Sequence, residues 1–128
     1  MLADNREQAD KTYHRAVEEI QKVLALSPHD NQLLEALALN YANLRKKNNA
    51  MLALQKLSGP SAQTPDVLFN SALVYELVDE RARALSALQA AVRNGLPETR
   101  IQSTPTFDRL RADARYNRVV AVQVRLGK

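Results

Sequence analysis

The stretch ALVYELVDERARALSALQAAV, residues 72–92, carries a skeleton already present thirty-four positions upstream in ALNYANLRKKNNAMLALQKL, residues 38–57. Setting residues 31–64 over 65–98 places Leu34 on Leu68, Ala38 on Ala72, Leu39 on Leu73 and Tyr41 on Tyr75. Further along, Ala50 falls on Ala84, Leu54 on Leu88 and Leu57 on Ala91, and no gap is needed. The frame also runs backwards: Ala16, Ile20 and Val23 align with Ala50, Leu54 and Leu57, and Pro28 closes that first unit. A fixed period of this length is the mark of a repeat architecture.

Each unit reads as a pair of helices. Leu34, Leu37, Ala38 and Tyr41 follow i, i+3, i+4, i+7, which is one helical stripe. Ala50, Leu54 and Leu57 form a second stripe, and the polar RKKNN between them is turn-prone. Small residues at Ala38, Ala50, Ala72 and Ala84 let two helices approach closely where they cross, while Tyr41 and Tyr75 fill the wider end.

Punctuation sets the expected limits. A first helix covers about residues 5–25 and stops at SPHD; Asp30 or Asn31 caps a second, to about 46. A third covers 49–57 and ends at SGPSAQTP. Thr64-Pro65-Asp66 combines a capping hydroxyl, Pro in the first turn and an acid near the positive helix end, and starts a fourth helix reaching Val78. Asp79 is the expected cap of a fifth, which Asn94-Gly95 closes after Arg93.

The pattern resembles the tetratricopeptide repeat, whose signature is W-x2-L-G-x2-Y, then A-x3-F, then P. One unit supplies Leu34, Leu37, Ala38, Tyr41, Ala50 and Leu54; the next supplies Leu68, Ser71, Ala72, Tyr75, Ala84 and Leu88. The departures are Leu for Trp, Ala for Gly, Leu for Phe and Ser71 for the usual Leu. The closing Pro is kept only at Pro28, with Ala62 and Leu96 in the matching places. The resemblance covers roughly residues 11–98. It implies an all-α, right-handed α-solenoid of antiparallel helix pairs with a C-terminal capping helix. The expected division is one domain over 1–128, with a partial first repeat at 1–30, repeats at 31–64 and 65–98, and a capping segment at 99–128.

Composition agrees with the all-α expectation. Of 128 residues 45% are apolar, supplied mainly by Ala and Leu, and only three are Gly. The absence of Cys excludes disulfides and thiol chemistry. No apolar run approaches a membrane span, and MLADNREQAD is too polar for a secretory signal, so the cytoplasm is the default expectation. Net charge is +4, and nine of the ten basic residues in the second half are Arg.

The ends depart from the frame. The start LADNREQAD lacks the Leu, Ala and Tyr stripe, so the first helix of that unit is missing or replaced by an extension. The apolar Ile20, Val23, Leu24 and Leu26 then point either to the tail of a longer array or to packing against a second copy, and the first is preferred. In the tail, TPTFDRLR forms a short turn of helix with Phe107 and Leu110 inward. Asp113 caps a last helix with Tyr116, Val119, Val120 and Val124 on its packing stripe and Arg115, Arg118 and Arg125 in water. The run TPTFDRLRADARYNRVV also resembles the closing segment of repeat domains in some bacterial multidomain proteins, which implies a piece of a larger chain.

No catalytic constellation is found, and no enzyme, metal or cofactor is expected. His14 and His29 lack a second ligand at metal spacing, and the adjacent acids Glu18-Glu19 and Asp79-Glu80 point different ways on a helix. SGPS is a turn rather than a phosphate loop. The expected function is binding of another protein or peptide, because stacked helix pairs present a curved face. In the tetratricopeptide fold the first helix of each unit lines the concave side. That gives Glu35, Leu39 and Asn43, with Gln32 and Ala42, from one unit, and Phe69, Asn70, Leu73, Glu76 and Leu77, with Asp66, from the next. Phe69, Leu73 and Leu77 make a second apolar stripe at i, i+4, i+8. Either a ligand takes this stripe or the first helix or the tail covers it, and the small size of the domain favours cover.

One tetratricopeptide subgroup grips the terminal carboxylate of chaperones with Lys, Asn and Arg. The matching positions hold Leu2, Asn5, Ala36, Asp66 and Asn70, which rules that ligand out. An acidic partner has Arg109, Arg111, Arg115 and Arg118 as its candidate patch. Nucleic acid is disfavoured, because aromatic stacking residues are nearly absent. A self-associating structural element is the remaining alternative, with a monomer preferred over a homodimer.

Overall fold

The computed structural model describes the backbone of residues 2–126 and the surroundings of residues 5–121. Among the described residues every regular element is helical: α1 Leu2–Leu24, α2 Asn31–Asn43, α3 Lys47–Gln55, α4 Pro65–Leu77, α5 Arg81–Arg93, α6 Glu98–Gln102, α7 Asp108–Arg111 and α8 Tyr116–Leu126. Single turns of 3-10 helix cover Pro60–Gln63 and Pro105–Phe107. The chain divides into two compact units, Met1–Ser58 and Gly59–Lys128. The boundary falls ahead of the 64/65 repeat boundary because the Pro60–Gln63 turn packs with α4.

In the first unit α2 packs against both α1 and α3. Pro28 stops α1 from running on, and the Asp30 carboxylate accepts the Leu33 N–H at 3.2 Å, satisfying a first-turn donor of α2. Leu34, Leu37, Ala38, Ala50, Ala53 and Leu54 are buried, and the two alanines at the expected crossing, Ala38 and Ala50, are fully so. Asn31 ties the unit's ends together: its Nδ2 donates to the Ser58 carbonyl at 2.9 Å and its Oδ1 accepts the Ser58 N–H at 3.2 Å. Gln21 Nε2 donates to Tyr41 Oη at 2.9 Å and Arg45 Nη2 to Asp10 Oδ2 at 2.8 Å, fixing α1 along α2.

The second unit starts with the same local plan. Thr64 Oγ1 accepts the Val67 N–H at 3.3 Å, with Pro65 in the first turn. Here α4 packs on α5, and α5 on α8. The core contains Phe69, Ala72, Ala84, Leu85, Leu88, Ala91, Ile101, Phe107, Leu110, Tyr116 and Val119. Phe107 and Leu110 are inward, as expected of the tail. The expected places of Val124 and Arg125 lie outside the described side chains.

The thirty-four-residue period is visible in the backbone. Caps fall at Asp30 and Thr64, and the first helices end one residue before Leu44 and Val78. The next residues, Arg45 and Asp79, take left-handed backbone with φ of 61° and 62°. Lys46 N then donates to the Tyr41 carbonyl at 2.9 Å, and Glu80 N to the Tyr75 carbonyl at 2.8 Å. This is the Schellman closure, and it turns the chain within three residues. It explains two departures from expectation. α2 ends at Asn43 and α3 starts at Lys47, so RKKNN is mostly helix rather than loop. Asp79 is not a helix cap: it holds the left-handed position, and Glu80 starts α5 without a side-chain cap. The αL closure recurs after α5, where Gly95 has φ 111° and Leu96 N donates to the Ala91 carbonyl at 2.8 Å.

Candidate protein-interaction surface

The expected binding residues lie on α2 in the first unit and α4 in the second. Packing fixes the rotation of each helix: Leu34, Leu37 and Ala38 face inward on α2, and Val67, Ser71 and Val74, with Ala72 beside them, face inward on α4. The surface left over is smaller than the sequence suggested. On α2, Leu39 is 37% exposed and Asn43 half-buried, but Glu35 is buried. Glu35 sits one residue from Leu34, close enough to the packing stripe to be drawn under. On α4, Asn70 is exposed, Leu77 is 40% exposed and Leu73 is half-buried against the core.

Phe69 is a correction to the expected binding set, since it is only 6% exposed. Phe107 meets it edge-on, with ring centroids 5.6 Å apart and planes at 79°, the arrangement that sets a positive ring edge on a negative face. The Arg100 guanidinium lies 4.5 Å from its ring centroid while also pairing with Asp66. The tail thus supplies the cover that the small domain size favoured.

Glu76 is likewise engaged. Arg81 grips it with two bonds, Nη2 to Oε2 at 2.7 Å and Nε to Oε1 at 3.1 Å. Arg81 Nη1 also lies 3.5 Å from Asp113, whose carboxylate accepts Arg115 Nε at 3.0 Å and Nη2 at 2.9 Å. A chain of four alternating charges therefore joins the α4–α5 turn to the start of α8. Hydrogen bonds from the Arg115 side chain and backbone N–H hold the Asp113 carboxyl well below the usual carboxylate range. Those same bonds raise the Arg115 guanidinium, and the bond to Glu76 raises that of Arg81. Asp113 receives the Arg115 N–H at 2.9 Å, so it forms a turn leading into α8 rather than capping a donor inside the helix.

The expected basic patch is mostly consumed by the fold. Arg111 Nη1 donates to the Ile101 carbonyl at 2.7 Å and the Thr104 carbonyl at 3.2 Å, while its Nη2 pairs with Asp108. Arg115 is held by Asp113, which leaves Arg109 and Arg118 exposed. Buried Tyr116 has its hydroxyl pKa pushed up, by burial first and by the nearby charge of Glu98 second.

Among the described residues no group of His, Asp and Glu could hold a metal ion, and no helix is long and apolar enough to cross a membrane. No family model, no curated protein and no solved structure matches the chain.

Proposed function

We propose that the chain is a tetratricopeptide-type protein-interaction module without catalysis of its own. Its helix pairs would stack antiparallel in a right-handed solenoid closed by the tail. One observation carries this reading: the cap, first helix, left-handed turn and second helix recur in the backbone at the thirty-four-residue spacing of the sequence. Repeats of that length form scaffolds whose binding residues sit on the first helix of each pair. After removal of the residues the fold uses, the candidate contacts are Leu39 and Asn43 on α2 and Asn70, Leu73 and Leu77 on α4. An amphipathic or extended peptide with apolar anchors suits the exposed residues of either helix.

The test is selection of peptides from a displayed random library on the full chain, followed by binding to Leu39→Glu and Leu77→Glu variants. Enriched peptides that lose at least tenfold in affinity on either variant support the reading. A library with no enrichment, or peptides indifferent to both substitutions, would sink it.

A further inference from the structure

We propose that α1 pairs with α1 of a second copy of this chain, through the face carrying Ala16, Ile20 and Val23, in antiparallel register about Ala16. The internal repeat shows what this stripe requires. At the aligned positions Ala50 and Leu54 on α3, and Ala84, Leu88 and Ala91 on α5, the side chains are buried, and Leu57, just after α3, is half-buried. On α1 the same stripe is only partly covered: Ala16 and Ile20 are half-buried and Val23 is 48% exposed. α1 is 23 residues long, yet among its described side chains Val17 alone is buried. A helix of that length draws its stability mainly from a packed face. This stripe is continuous with the row that packs on α2, about 100° further round the helix from Val17, so a second helix can lie there without displacing α2.

The flanking charges select a second copy as the occupant. With Ala16 opposite Ala16, Val23 lies level with Ala9 of the copy, and Ile20 level with Thr12 beside Tyr13. Arg15 and Glu19 lie on the same flank of the stripe, and both are exposed. In antiparallel pairing like flanks meet, so Arg15 of each copy faces Glu19 of the other, offset by about 3 Å at 1.5 Å rise per residue. Two symmetric opposite-charge pairs result. Among the described residues Glu19 has only an exposed 3.4 Å contact with Lys22 within its own helix, which it can exchange at little loss.

This inference is independent of the peptide-binding reading, because it uses a different face. The test is sedimentation equilibrium of the full chain over a wide concentration range, with circular dichroism to check helicity. The expected result is a monomer–dimer equilibrium that Val23→Glu shifts to monomer. Glu19→Arg should raise the dissociation constant by about tenfold, and the swap Arg15→Glu with Glu19→Arg should bring it back. Leu52→Glu, at an exposed position on α3, should change nothing. A wild-type chain that stays monomeric to about millimolar concentration overturns the proposal. So does a dimer that ignores Val23→Glu or that the charge swap fails to rescue.

Discussion

Replacing Phe107 by Ala asks whether the tail belongs to the second unit's core or merely lies on it. Phe107 is fully buried, and its ring edge meets Phe69. Removing a buried Phe costs about 3–5 kcal/mol, from lost transfer energy and from the cavity left behind. Loss of the edge-to-face contact places this site in the upper half of that range, at about 4 kcal/mol. For a chain of this size that is on the order of a third of the total stability. In a urea titration followed by far-ultraviolet circular dichroism, it corresponds to a midpoint lowered by about 2 M. Phe107→Leu, which keeps most of the volume, should lose only about 1 kcal/mol. A midpoint shift below about 0.5 M for Phe107→Ala would refute the reasoning. The tail would then be a detachable strap, and Phe69 would return to the candidate binding set.

Three further outcomes are expected. Asp113 has its folded pKa depressed, so its stabilising effect is present above the unfolded value near 3.9 and is lost as pH falls below it; Asp113→Asn should flatten the acid limb of a stability–pH curve, and an unchanged limb would remove the charge chain from the account. Tyr116 has its folded pKa raised, so stability is present below about pH 10 and falls as pH climbs past it; Tyr116→Phe should flatten that alkaline fall in thermal melts. Asp79 carries a side chain at φ 62°, so Asp79→Gly should stabilise by about 0.5–1 kcal/mol in the same urea assay, whereas a loss would mean its carboxylate does something the backbone geometry does not reveal.

The parts of the fold legible in the sequence were those set by neighbours along the chain. Asp30 and Thr64 cap helices because a short polar side chain need reach only three residues ahead. The α2 stripe through Leu34, Leu37 and Ala38 follows from helical spacing alone, whereas on α4 the buried row is Val67, Ser71 and Val74, and Leu68 and Tyr75 are only half-buried. Part of what could not be read depends on partners far away in sequence. Phe69 looked available because Phe107, which covers it, arrives only after two further helices. Arg111 looks like part of a free basic patch because the carbonyl oxygens that accept it leave no trace in a sequence, and Arg115 does because the sequence does not show that Asp113 turns back onto it. Asp79 was misread for a different reason: Asp is favoured both as a cap and in the left-handed turn, and the Glu80–Tyr75 bond decides between them.

The Asn31–Ser58 clasp has a mechanical consequence. It brings the start of α2 beside Ser58, three residues past the end of α3, held by two hydrogen bonds. Tension transmitted through the chain at these two points would load that clasp before any packed side chain. Once it breaks, the helix pair would peel open from its mouth toward the turn at Arg45, one contact row at a time. Peeling rather than shearing sets a low rupture force and a large extension, so this stretch would behave as a compliant link, giving way and re-forming under loads that rigid packing would resist.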